Sequence, residues 1–114
     1  MDTHIHFRDY KCTPSFEEYA TTGNTAIRLL DATDGSPVAT ATVNLSNIAL
    51  EPTTVLIKNW SENAGVYEAL LEAEIIEPLK AYVPCGYVKA LVCDLSEKGK
   101  KMLSESPSFY PLQL

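Results

Sequence analysis

Residues 25–45, TAIRLLDATDGSPVATATVNL, carry the clearest pattern of apolar and polar positions in the chain. Residue character alternates on both sides of Asp34-Gly35, which is a strong short-range signal for a β-hairpin. In the second arm Ala39, Ala41, Val43 and Leu45 share one face, and Thr40, Thr42 and Asn44 share the other. A two-residue loop at Asp34-Gly35 would set Arg28 opposite Ala41, placing a cation among apolar side chains. A three-residue loop, Thr33-Asp34-Gly35 with Gly35 left-handed, sets Leu29 opposite Ala39, Ile27 opposite Ala41 and Arg28 opposite Thr40. A one-residue slip turns every side chain to the other face, so the pattern selects the three-residue loop with a glycine bulge. Strands are predicted over residues 25–31 and 37–45, with Ile27, Leu29, Ala41 and Val43 facing the core. Pro37 falls at a strand start, where its missing N–H is tolerated.

The rest of the chain reads as more strand around one helix. Residues 5–13 alternate loosely and predict a first strand. Residues 14–22 read as one helical turn or a loop, and Gly23-Asn24 as a turn. Residues 53–59, TTVLIKN, are rich in β-branched side chains and predict a strand. In residues 61–74, Val66, Ala69, Leu70 and Ala73 form an apolar stripe at helical spacing, with Ser61 as cap and Glu62 at the positive end of the dipole. Gly65 weakens that helix by up to about 1 kcal/mol relative to Ala. Residues 75–83 read as a strand interrupted at Pro78, hence an edge strand or two short pieces, residues 84–86 as a turn, and residues 87–95 as a further strand. The expected fold is α+β: a small antiparallel or mixed β-sheet with one main helix, about residues 61–74, packed on one face. Residues 1–95 are taken as the single domain and residues 96–114 as a C-terminal extension, basic and then apolar.

Composition narrows the function classes. A chain of 114 residues, 46% hydrophobic, builds one modest core. A net charge of −6 disfavours direct nucleic-acid binding and anionic membranes, and leaves open a basic protein partner. The charge is uneven: Glu62, Glu68, Glu72, Glu74 and Glu77 fall in residues 59–79 with no Lys or Arg among them. No apolar run approaches the roughly 18 residues of a membrane span. The first ten residues lack the basic and apolar regions of a secretion signal. The three cysteines, Cys12, Cys85 and Cys93, form no CxxC and are odd in number. Together these predict free thiols and a reducing, cytoplasmic setting. On that ground the two glycosylation patterns, at Asn44 and Asn59, are read as accidental.

Catalytic chemistry finds little to build on. His4 and His6 lie two apart, but only Cys12 is near them and a structural metal site wants about four ligands, so no metal is expected. The glycines are isolated, so no phosphate loop is expected. Cys85, between Pro84 and Gly86, reads as a small residue in a tight turn. No catalytic residue and no cofactor is assigned.

The segments HFRDYKCTPSFEEYATTGNTAIRLLDATDGSPVATATVNL and VLIKNWSENAGVYEALLEAEIIEP resemble a family of small uncharacterised proteins of gut anaerobes, often carried on phage, plasmid or conjugative elements. The resemblance covers roughly residues 6–95, and DATDGSPVATATVNL and IKNWSENAGVYEALLEA are its most specific pieces. It implies a mobile-element context and a domain limit near residue 95, and it implies no activity.

Two function classes follow. The first is a non-enzymatic, acidic protein-binding module, a regulator or inhibitor of a host or rival defence protein of the anti-restriction or anti-CRISPR kind. Its candidate partner surface is Glu62, Glu68, Glu72 and Trp60, although Trp60 reads more readily as a lid over the core at the strand-to-helix junction. The alternative is a small-molecule-binding or enzymatic domain with a pocket beside the helix; a deep pocket with convergent polar groups separates the two. Phe109, Tyr110, Leu112 and Leu114 are costly to leave in water, so the C-terminal end is expected to dock on its own domain or close a homodimer.

Overall fold

The computed structural model of the chain describes residues 3–106. It holds two antiparallel sheets and two short helices. The first sheet runs β1 (Ile5–Phe7), β2 (Tyr10–Glu18), β3 (Thr25–Asp31), β4 (Pro37–Thr40) in spatial order. The second takes β5 (Thr54–Ile57), β6 (Ala81–Cys85) and β7 (Val88–Asp94) in the order β5-β7-β6. Helices α1 (Val66–Glu72) and α2 (Glu97–Ser104) complete it. The expected α+β class therefore holds in outline, while its single sheet under one main helix is corrected to two sheets with two short helices. No helix among the described residues is long and apolar enough to cross a membrane.

The predicted hairpin register is present, reached by a different route. Arg28 lies opposite Thr40 and Leu29 opposite Ala39, and the Ala41 N–H donates to Ile27 at 2.8 Å. Gly35 is left-handed at φ 78°. The loop, however, is one residue longer than expected: Asp31 N–H donates to Ser36, and Gly35 N–H to Asp31, across Ala32-Thr33-Asp34-Gly35. The pairing of Leu30 with Pro37 leaves Val38 as a bulge, which restores the register beyond it. Asp31 and Asp34 stiffen the loop by accepting from the Thr33 and Ser36 amides. Ile27, Leu29 and Ala41 are fully buried, while Val43 is half-buried against a second, smaller cluster.

The second arm ends as a strand at Thr40 instead of running to residue 45. Beyond it the chain changes sheets. Lys58 N–H donates to Ala41, Val43 N–H donates to Leu56, and Thr42 bridges Ile57. Residues 41–43 therefore join the two sheets along one side.

Two other expectations were wrong in detail. The predicted first strand is a hairpin, β1 and β2, turning at Arg8-Asp9 with Arg8 left-handed at φ 55°. Residues 14–18, read as a helical turn or loop, continue β2, because Phe16 enters the core at 2% exposure. Pro14 fits there because β1 pairs only with Tyr10, Lys11 and Cys12. Lys11 and Tyr19 make their backbone bonds toward β3, so the nitrogen of Pro14 faces the open edge. Residues 75–83, by contrast, come in two pieces on either side of Pro78 as expected: an isolated bridge from Ile76 to Leu95, and then edge strand β6 from Ala81.

The main core lies between the sheets. Ile5, Phe7, Phe16, Ile27 and Leu29 meet Val55, Ile57, Leu91 and Cys93, with Val66 and Leu70 from α1 and Leu103 from α2. Leu56, Ala90 and Val92 point to the opposite face of the second sheet, where Val43, Leu45, Leu50 and Trp60 cover them. Asn24 holds the covering loop: its side-chain amide donates to Ile48 and its oxygen accepts from Leu50 N–H.

Candidate functional site

The acidic segment is a helix broken in two. Residues 61–63 form a 3-10 turn, Gly65 is left-handed at φ 98°, and α1 begins only at Val66. The single helix expected over residues 61–74 is thereby corrected, as is the capping role of Ser61. Two asparagines account for the break. The Asn63 side chain is buried at 2% exposure and donates to the Thr40 carbonyl at 2.6 Å, which pulls the turn inward. The Asn59 oxygen accepts from the amides of Gly65 and Tyr67, both at 3.0 Å, and caps α1 from the preceding strand end.

The other end of α1 is also pinned. Lys98 Nζ donates to the Ala73 carbonyl at 2.9 Å, and the Ser96 hydroxyl donates to the Glu74 carbonyl. Both contacts place donors on carbonyls that a helix C-terminus leaves unpaired. Ser96 also caps α2, accepting from Gly99 N–H at 2.9 Å. The Tyr67 hydroxyl accepts from Leu79 N–H and ties the following segment to α1.

On this held frame Val66, Ala69 and Leu70 face the core, and Glu68 and Glu72 face solvent. Glu74 and Glu77 follow, also exposed. None of these four carboxylates makes an ion pair among the described residues. Glu62 is different: Lys58 Nζ lies 2.8 Å from it, and that hydrogen bond holds its carboxyl below the usual range. Lys58 precedes the acidic stretch by one residue, so a count of charges within residues 59–79 passes over it. Trp60 is half-buried against the second cluster and belongs to its cover. Phe109, Tyr110, Leu112 and Leu114, with the docking and dimer expected of them, lie outside the described residues.

His4 and His6 line a cleft of about 60 Å³ with Ala69, Glu72 and Ala73, between the first strand and α1. Among the described residues no three metal-ligating side chains come close enough to hold an ion. The cysteines are free, and Cys12 and Cys93 are buried. Burial, followed by the nearby Asp94 charge, pushes the Cys93 thiol up to about 12. Among the described residues, hairpin β6–β7 carries the most exposed aromatics, Tyr82 and Tyr87, with Lys89 Nζ 5.5 Å from the Tyr82 ring centre. Pro84 removes a donor from this edge strand, which hinders strand addition there.

Compared with known proteins, the chain matches no family model, no curated protein and no solved structure.

Proposed function

We propose that this chain is a non-enzymatic protein-binding module whose acidic α1 face meets a basic surface on a partner protein. The observation that carries the reading is the row of exposed carboxylates, Glu68, Glu72, Glu74 and Glu77, on a segment pinned at both ends. A rigid face loses little conformational freedom on docking, and unpaired surface charge accelerates encounter with an opposite charge. In the mobile-element setting that the resemblance implies, the partner is a host or rival defence protein whose basic surface ordinarily holds nucleic-acid phosphate. The carboxylates stand in for that phosphate. The alternative, a small-molecule site, has less support, because the larger grooves are open and rimmed by solvated charges. The test is charge reversal: Glu68→Lys with Glu72→Lys, compared with the native chain for capture of partners in its natural host. The reading expects the reversed chain to fold and to lose the captured partner; equal capture by both chains refutes it.

A further inference from the structure

We infer that the groove between the end of α1 and the start of α2 receives an apolar side chain flanked by arginines or lysines, presented by the partner protein. This rests on the protein-binding reading above and names the chemistry of the segment bound. The groove is open to solvent, with a volume of about 440 Å³, which suits a side chain laid on a protein surface and not an enclosed small-molecule site. Leu71 and Pro78 supply its accessible apolar surface, over the buried Ile76, and Glu74, Glu77 and Glu97 its carboxylates.

Its walls are fixed by backbone bonds. Ile76 bridges Leu95, Glu77 N–H donates to Asp94 at 2.8 Å, and Ser96 N–H donates to Ile75 at 2.9 Å. The groove is therefore formed before any partner arrives.

Charge decides what fits. Lys98 is the one cation lining the groove, and its ammonium is committed to the Ala73 carbonyl. Glu97 has Lys100 at 3.4 Å, both groups well exposed, a weak pairing in water. Glu74 and Glu77 have no cation partner among the described residues. An arriving guanidinium makes charge-assisted hydrogen bonds with them, which are stronger than neutral ones. The apolar floor argues for a side chain between the charges and against a bare polyamine or metal ion, neither of which covers Leu71 and Pro78.

The probe is a short blocked peptide, Arg-Leu-Leu-Arg between alanines, titrated into the labelled protein and followed by amide chemical shifts. Two control peptides replace both arginines by glutamine or both leucines by serine. The inference expects saturable shifts at Leu71, Glu74, Glu77 and Glu97, lost with either control and weakened by salt. Glu74→Gln with Glu77→Gln should weaken binding about tenfold, an electrostatic loss expected for close charge pairs. Glu18→Gln with Glu51→Gln, away from the groove, should leave it unchanged. Absence of saturable shifts overturns the inference. So do shifts spread over unrelated carboxylates such as Glu18 and Glu51, or undiminished binding by the Glu74/Glu77 variant. Because the Glu68/Glu72 charge reversal reads partner capture and this titration reads the isolated groove, either can fail while the other stands.

Discussion

Gly99→Ala sets two effects against each other in one methyl group. Gly99 sits in α2 and is buried. In an exposed helix the change stabilises by about 1 kcal/mol, because Ala gives up less backbone freedom. Here a Cβ would run into the carbonyl oxygen of Ile75 and crowd the Leu95 side chain. The obstructing atom is backbone, itself held by the Ser96 N–H at 2.9 Å, so it cannot swing aside as a long side chain would. Overpacking of this kind costs typically about 1–3 kcal/mol. Against a backbone atom that cannot move, the upper part of that range applies, so the collision wins and the net loss is on the order of 1–2 kcal/mol. That should lower the midpoint of thermal unfolding by roughly 4–8 °C per kcal/mol. Lys100→Ala, at an exposed site in the same helix, should stay within about 0.5 kcal/mol of the native chain. Urea unfolding of both variants measures the difference directly. If Gly99→Ala is as stable as the native protein or more so, α2 does not pack on Ile75 as described.

The remaining expectations concern the core, the broken helix, acid stability and the thiols. Ile27→Ala should cost roughly 2–5 kcal/mol in urea unfolding, since Ile27 is fully buried between the sheets; a loss well below that places it at the surface. Asn63→Ala should cost about 1–3 kcal/mol by leaving the Thr40 carbonyl without its donor, and no loss would refute the pinned 3-10 turn. The Asp94 carboxyl is held below its ordinary value, first by the Lys80 hydrogen bond and then by Thr54. A depressed folded value stabilises above the ordinary carboxylate range and is lost as pH falls through the folded value. Asp94→Asn should therefore lower the melting temperature at neutral pH, with the gap closing on acidification; a constant gap contradicts this. Only Cys85 is not buried, so a thiol reagent should modify one group quickly in the native protein and three after denaturation. Rapid native reaction of all three would contradict the buried positions of Cys12 and Cys93.

Legibility followed the range of the interactions. The β3–β4 register could be read because one pairing buries Ile27 and Leu29 and the other buries Arg28. The compensating bulge at Val38 was not visible, since a four-residue loop with a bulge and a three-residue loop give the same pairing beyond it. The apolar stripe of α1 was read correctly at Val66, Ala69 and Leu70. Its start was misplaced because Ser61 is a good local cap, whereas Asn59 captures two amides across a loop. Gly65 was the visible clue, a helix-weakening residue sitting where the chain needs a left-handed turn. The second sheet was hidden because the switch at residues 41–43 depends on β5, which is distant in sequence. Glu68 and Glu72 were read correctly as solvent-facing, but the groove formed with α2 needed Ile76, Pro78 and Glu97 brought together by the Ile76–Leu95 bridge.

The central claim is that the acidic face of α1 binds a basic protein surface. Its most direct measurement is the affinity of the native chain and of the Glu68→Lys, Glu72→Lys variant for one captured partner, at low and high salt. The account predicts that the variant, with unchanged melting temperature, binds at least about tenfold more weakly, and that salt weakens the native complex far more than the variant's. Equal affinities, or a native complex indifferent to salt, would contradict it.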